Sequence, residues 1–563
     1  MSNEGSSPPT PGPGPTPGPG AAGEAGAETT AGGLFLRRSS GLVREFGGKD
    51  VFVFNTIGYA LGLVLAIVPL LMAGAVPEAN VLVVVVFGTI FTLANALTYS
   101  YLSAAMPRSG GEYVFLGRTI HPGFGFTANW GFTWSQLLGL GLYASFAVNF
   151  GLAVGFLTLG NVLDSTGLIT AGEDVSKDWP TFLLGTAMIV AVLGVLAMGP
   201  RVTRRVLNWL FIPAIAGSFV TLIVLLTTSK DKFIENFNSF MAERGDGQTY
   251  DGIVAAASDA GFVEEASTLG AVLLAIPIGY YIYIGFTYST YIGGEVKEPA
   301  KTQPRMIIAT LGFAFLMYML CLWRFYDIVG QDFINSVVFL NDTTAEGSGL
   351  PVDPVLNLFA GIMTDNAILN VIMALSFFLW HFLLLFVIAM ICTRNLFAWS
   401  VDRILPEAVT NVDRRFHTPW VATLIIIAAT EILLALYVFT DIFENVSNYI
   451  VLFSIAFWMA SWAAILLPYR RPDILAAAPE YVRAKVAGIP VITLFGVGNL
   501  ILFSMVLYSA FKLPAFSGPT GTDAVLFVIG IYLLGPIIYF GARAIQKRRG
   551  VDLDLMYKEI PPE

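Results

Sequence analysis

The chain has 563 residues, of which 55% are apolar and 13% charged, about half the charged share of a soluble globular chain. Together with a mean hydropathy of +0.71, this excludes a water-soluble fold. Cys321, Cys392 and three histidines leave no basis for a disulfide framework or a histidine-rich metal centre, and the net charge of −9 comes mostly from acidic loops.

Residues 1–32 are Pro, Gly, Ser and Ala without an apolar block, which fits a disordered tail (1–45) rather than a signal peptide. A proline-rich ligand for a partner is the alternative use of that composition. Beyond it, apolar runs near 20 residues recur, long enough to cross a hydrocarbon core of about 30 Å. Twelve spans are expected, at 51–74, 81–105, 124–160, 180–199, 206–229, 269–293, 305–328, 366–392, 419–440, 446–468, 489–511 and 523–545. The expected class is an all-α integral membrane protein. Residues 46–468 would form a ten-span core, 469–545 a loop with spans 11 and 12, and 546–563 a short tail. Span 3 exceeds the bilayer thickness and must tilt or project.

With both termini cytoplasmic, 25 of the 31 Lys and Arg fall on the inner side. Positive charge concentrates inside, so the chain is expected to lie in the cell membrane in that orientation. Three outer loops are long, 161–179, 230–268 and 329–365, and the middle one carries eight acids against three bases. They read either as a cap over an outer entrance or as solvated insertions.

Two spans carry residues that weaken a helix. The sixth contains "IPIGYYIYIGFTYST" (276–290), with Pro277, Gly279 and Gly285 in an apolar run, and the first opens "FVFNTIGYALG", with Asn55, Thr56, Gly58, Tyr59 and Gly62. Unpaired backbone in lipid costs several kcal/mol, so it survives where it lines a cavity inside the protein. Transporters use interrupted midplane helices in this way. Close packing of glycines between helices is the other explanation.

Three stretches point to a family. "MPRSGGEYVFLGRTIHPGFGFTANWGFTW" (106–134), "YYIYIGFTYSTYIGGEVKEPAKTQPR" (280–305) and "TRNLFAWSVDRILPEAVTNVDRRFHTP" (393–419) resemble, in order and position, the loop after span 2, the sixth span with its following loop, and the loop after span 8 of the amino acid–polyamine–organocation permeases. The resemblance implies two inverted five-span repeats with two appended helices, and solute held between the unwound middles of spans 1 and 6. Tyr281 then corresponds to the family's aromatic gate, Ile282, Tyr283 and Ile284 to the unwound backbone, and Gly285-Phe286 to its Gly-aromatic pair. The first-span partner has two alignments. One sets Tyr59-Ala60 after Gly58, the other sets Leu61-Gly62-Leu63 at the carboxylate position. Thr287 stands where some exchangers of cationic amino acids have an acid.

Among the remaining residues, Glu112, Arg118, Glu295, Lys297 and Asp402 read as an inner ion-pair gate or as solvated loop charges. Arg324 and Asp327 are spaced to pair, Trp130 and Trp134 to pack, and Glu431 is an acid in span 9 whose cost in lipid makes it a candidate. Span 5 lacks the lysine of some proton-driven relatives and offers Asn208, Ser218 and threonines, and span 8 has Ser376 before His381. His381 lies inside a span with an ordinary pKa of about 6.5. It is the candidate for proton coupling, against a neutral histidine bonded to a neighbouring helix. The expected activity is secondary transport of amino acids or related amines, by proton coupling or exchange. Polyamine or other organic-cation transport, or a non-transporting sensor, is the alternative. A membrane enzyme would need a nucleophile–histidine pair, paired aspartates or a metal cluster within the spans, and none is read there. The expected partners are a small solute, the lipid bilayer and protons, with no cofactor, metal or nucleic acid.

Overall fold

The computed structural model describes residues 44–412, 418–440, 449–513 and 522–553. The cationic positions Arg37, Arg38, Arg414, Arg415 and Lys558, and most of the two tails, lie outside the described residues.

Among the described residues, eleven helices are long and apolar enough to cross a membrane: Gly48–Ala75, Val81–Ala105, Pro122–Val162, Asp178–Ala197, Pro200–Thr227, Pro299–Val329, Ala367–Val401, Trp420–Phe439, Ile450–Arg470, Val491–Lys512 and Thr522–Arg548. They are spans 1–5 and 7–12 of the expected series. The twelfth expected crossing, span 6, is not one helix. It consists of Leu269–Leu274, Ile276–Tyr281 and a 3-10 segment Tyr288–Glu295 joined by turns. Pro277 accounts for the first interruption, because it has no amide to bond back to Leu273. Span 3 carries a π-helical stretch, Ala147–Ala153, in its C-terminal half. Span 8 runs on to Val401, well past its expected end.

Spans 1 and 6 form the centre. Span 1 packs against spans 5, 7 and 8, and in span 6 the piece Ile276–Tyr281 packs against span 2 and Tyr288–Glu295 against span 8. Span 1 is the most enclosed crossing and span 12 the least. Exposed Trp209, Leu316 and Leu533 on the outer spans are the lipid-facing surface that an apolar solvent requires. Spans 2, 10 and 11 are pinned by a buried amide chain, in which Asn95 donates to Asn499 at 3.0 Å and Asn499 to Ser461 at 2.9 Å.

The long loops are folded. Helices Lys230–Arg244, Tyr250–Asp259, Gln331–Thr343 and Leu356–Ile362 meet in an aromatic cluster where Tyr250 stacks on Phe333 at 4.2 Å and Phe237 meets Phe333 edge-on at 5.1 Å. Gln331 and Asn335 donate to the carbonyl of Pro77 at 3.0 and 2.9 Å, tying this cap to the end of span 1. In 230–257 and 331–362 these helices form a packed helical cap, whereas 161–179 and 258–270 remain largely exposed. Phe233, Phe237, Phe240 and Met241 of "DKFIENFNSFMAE" are buried in the core of the cap. The opposite face gathers Arg44, Arg108, Arg118, Arg201, Arg394 and Arg471 at the other helix ends, and is called the basic face below.

Candidate functional site

Span 1 breaks after Gly58. Helix Gly48–Gly58 ends at Tyr59, Ala60 takes a left-handed conformation at φ 47°, and a new helix starts at Leu61. The first turn of a helix has amides without intrahelical partners, and here they belong to Leu61, Gly62 and Leu63. Val64 is the first residue to bond back, to the Ala60 carbonyl at 3.1 Å. The break therefore places the start of the second half-helix at Leu61-Gly62-Leu63.

Span 6 breaks at 282–287. Tyr281 is the last helical residue, Gly285 turns with φ 109°, and tight bonds replace the helix, Ile284 to the Tyr281 carbonyl at 3.1 Å and Phe286 to that of Tyr283 at 3.2 Å. Among the described residues, the carbonyls of Ile282 and Ile284 accept no backbone bond. The two breaks lie against each other, since a Cβ on Gly58 would come within 2.6 Å of the Gly285 carbonyl oxygen, and one on Gly285 would overlap the Gly58 carbonyl. Asn55 locks the pair, its side-chain oxygen accepting from the Ser289 amide at 2.9 Å. Gly279 serves the plainer purpose of close packing, against Gly88 of span 2.

The structure thus brings together Asn55, Gly58, Tyr59, Ile282, Tyr283, Ile284 and Gly285. Tyr281 and Phe286 are buried next to them. Thr56 turns its hydroxyl back to the Phe52 carbonyl at 2.7 Å. The walls include residues that sequence reading missed. Trp380 of span 8 lies on Gly62, where a Cβ would stand 2.9 Å from its Cγ, and donates to Ser218 at 2.8 Å. Tyr318 of span 7 meets Tyr59 and Tyr283 edge-on at 6.0 and 5.6 Å, and Thr89 of span 2 shares a 2.6 Å hydrogen bond with the Tyr283 hydroxyl. No motif marked Trp380 or Tyr318. The signal available was an aromatic side chain amid aliphatics on a central span.

Two broken central helices, facing each other within a shell of long spans, are a carrier's geometry. A profile of the amino acid permease family matches residues 51–541. The chain belongs to this family. The permease is 25% identical over 482 residues to the branched-chain amino acid permease BcaP of Bacillus subtilis, covering 83% of this chain and 88% of that one. It is 24% identical over 351 residues to an uncharacterized transporter of Mycobacterium tuberculosis (61% and 62% of the two chains). It is likewise 24% identical over 324 residues to rat solute carrier family 7 member 13 (54% and 56%). The permease is accordingly a multi-pass membrane transporter of the amino acid class.

On its basic face the site is closed. The amides of Glu45 and Phe46 donate to the Glu295 carbonyl at 2.9 and 3.0 Å, and Lys297 returns a bond to Phe46 at 2.8 Å, so the start of span 1 is stitched to the end of span 6. Arg394 forms a buried ion pair with Glu295, and Arg118 with Asp402 at 3.1 Å. Tyr113 adds a 2.7 Å bond to Asp402. Asn208 donates to Asp50 at 2.6 Å beside Arg204. Of the five loop charges in question, Glu112, Arg118, Glu295 and Asp402 are buried, which rules out the solvated reading for them. Lys297 is exposed, and Arg394 is the partner of Glu295.

Arg324 and Asp327 pair as their spacing indicates. Trp130 and Trp134 pack edge-on at 5.9 Å. Glu431 accepts from Thr186 of span 4 at 2.9 Å at the rim of the bundle, away from the breaks. His381 is fully buried, and its Nδ1 lies 2.7 Å from the Phe377 carbonyl of its own helix. A carbonyl can only accept, so Nδ1 carries a proton there. The bond is made within span 8, not to a neighbouring helix.

Proposed function

We propose that the permease moves neutral amino acids across the cell membrane by alternating access, with the basic face and both termini in the cytoplasm. Residues 46–468 form the transporting core as two inverted repeats, and spans 11 and 12 are appended. The facing breaks of spans 1 and 6 carry this reading. The amides of Leu61, Gly62 and Leu63 suit a carboxylate, and the carbonyls of Ile282 and Ile284 suit an ammonium group. Tyr281, Tyr283 and Phe286 border the space for the solute, and Asn55, Thr56, Gly58 and Tyr59 shape its first-span side. The identified walls are Tyr59, Tyr283, Tyr318 and Trp380, none of them charged, which favours a neutral side chain over a cationic one. The likeness to a branched-chain permease supports the same choice.

Uptake of labelled leucine, arginine and putrescine into liposomes tests the proposal. Leucine is expected to be carried in preference, and uptake of putrescine alone would replace the amino acid with a polyamine. Tyr281→Ala is expected to weaken leucine uptake by about 0.5–2 kcal/mol if the ammonium lies against the ring, with Tyr281→Phe retaining most of it. Equal loss in both variants would make the hydroxyl the contact.

A second reading adds proton coupling at His381, favoured by its buried Nε2, which has no partner among the described residues. It expects leucine uptake to respond to an imposed pH gradient and His381→Gln to lose that response. An unchanged response in the variant clears His381.

A further inference from the structure

Glu112 is a fully buried acid that opens the helix Glu112–Thr119 between spans 2 and 3. Three uncharged groups serve its carboxylate: the Tyr99 hydroxyl of span 2 at 3.2 Å, the Tyr291 hydroxyl of span 6, and the Asn129 amide of span 3 at 3.3 Å. Glu295, Asp402 and Asp50 on the same face each have an arginine. Among the described residues, no Lys, Arg or His stands within ion-pair distance of Glu112. Tyr280 and Tyr288 of span 6 and Tyr532 of span 12 lie within electrostatic reach. Span 10 presents Phe457 against Tyr99, and span 8 presents Trp399, which donates to Asn129 at 2.8 Å. Arg118 on the same helix is engaged with Asp402, Arg108 lies in the loop before it, and His121 beyond the helix packs on Tyr539.

The position of this acid ties it to closure. The loop 108–112 and the segment 291–294 touch backbone to backbone. Gly110 donates to the Tyr291 carbonyl at 3.2 Å, Gly294 to the Ser109 hydroxyl at 2.9 Å, and a Cβ on Gly293 would lie 2.6 Å from the Arg108 carbonyl oxygen. Parting these segments to open a passage beside span 6 exposes Glu112 to water.

We propose that Glu112 is the proton-binding residue of the basic-face gate, neutral while the gate is closed and ionised when opening wets it. This rests on the alternating-access reading above. Burial raises its carboxyl from 4.5 to about 7, against the opposing hydrogen bonds from Tyr291, its own backbone amide, Asn129 and Tyr99. A carboxylate without a cation is costly to bury. The Tyr291 hydroxyl can reverse its role and accept from the neutral acid. Between pH 4.5 and 7 the closed state therefore holds a proton that the open state sheds. Acid favours closure, and each pH unit in that window shifts the gate by up to about tenfold.

The test uses the full-length permease in liposomes and labelled leucine counterflow at equal internal and external pH. Wild-type counterflow is expected to rise about tenfold between pH 6 and 8, the ratio for one group titrating near 7. Glu112→Gln is expected to be flat, and Tyr291→Phe, which removes a donor to the carboxylate, to move the midpoint upward. Glu112→Gln with the wild-type profile overturns the proposal. Melting of the purified protein without solute provides a readout independent of transport. The folded-state pKa lies above the unfolded one, so stability is greatest in acid and falls as pH rises through the window. The wild-type melting temperature should therefore fall more steeply than that of Glu112→Gln. Equal slopes overturn the proposal whether or not leucine is carried. Unequal slopes without leucine counterflow uphold the titration and reject the transport reading.

Discussion

Gly285→Ala is expected to abolish leucine uptake and to lower stability by about 4 kcal/mol, at the upper end of single-residue effects. Two costs combine. Gly285 sits at φ 109°, where an L side chain is strained. Its Cβ would also overlap the Gly58 carbonyl and stand 2.7 Å from the Tyr59 amide nitrogen. Those obstacles are backbone, so no rotamer change relieves them, and the two breaks must separate. Gly58→Ala divides the costs, because Gly58 is helical and its Cβ meets the Gly285 oxygen at 2.6 Å without a conformational penalty. It should destabilise less than Gly285→Ala while still impairing uptake. Detergent melts and uptake normalised to protein in the membrane check both variants. Wild-type uptake and melting in Gly285→Ala would mean that the breaks do not need to touch.

The sequence marked these breaks because their chemistry is local. Proline and glycine clustered in an apolar run point to weakened helix bonds, and three loop motifs set the order of the spans. What could not be read is what depends on contact across distant segments. Asn55 stands out in sequence only as a polar residue in an interrupted helix, and its bond to Ser289, more than two hundred residues away, depends on the fold. Trp380 carries no motif, and its place over Gly62 depends on the packing of span 8 on span 1. The loop charges had no legible partners, since Glu295 is satisfied by Arg394 of span 8 and not by its neighbour Lys297. Acidic composition left both a cap and a solvated insertion open, because only the fold shows the apolar side of each short helix turned inward on an aromatic cluster. The two alignments of span 1 differed by a few residues, and the left-handed turn at Ala60, a residue type that rarely adopts it, has no sequence signature.

Arg394→Met is expected to destabilise the closed basic face by about 3–5 kcal/mol, the cost of stranding one partner of a buried pair. Glu295 is fully buried, and its second carboxylate oxygen already has no partner among the described residues. Without the arginine its charge would have only water or a proton to answer it, and either would pry open the junction where Glu45 and Phe46 attach to its carbonyl. Removing both charges, Arg394→Met with Glu295→Gln, should recover most of the loss, because a well-packed neutral pair is often no worse than a buried ion pair. Detergent melts of the wild type, the two single variants and the double variant close the cycle, and a coupling near zero would show that the pair is not what holds this face shut. If the double variant melts like the wild type yet carries leucine more slowly or faster, the pair's contribution lies in the difference between closed and open states. A carrier that must break this contact in every cycle is limited by it, so a pair that is neutral for folding can still set the rate of turnover.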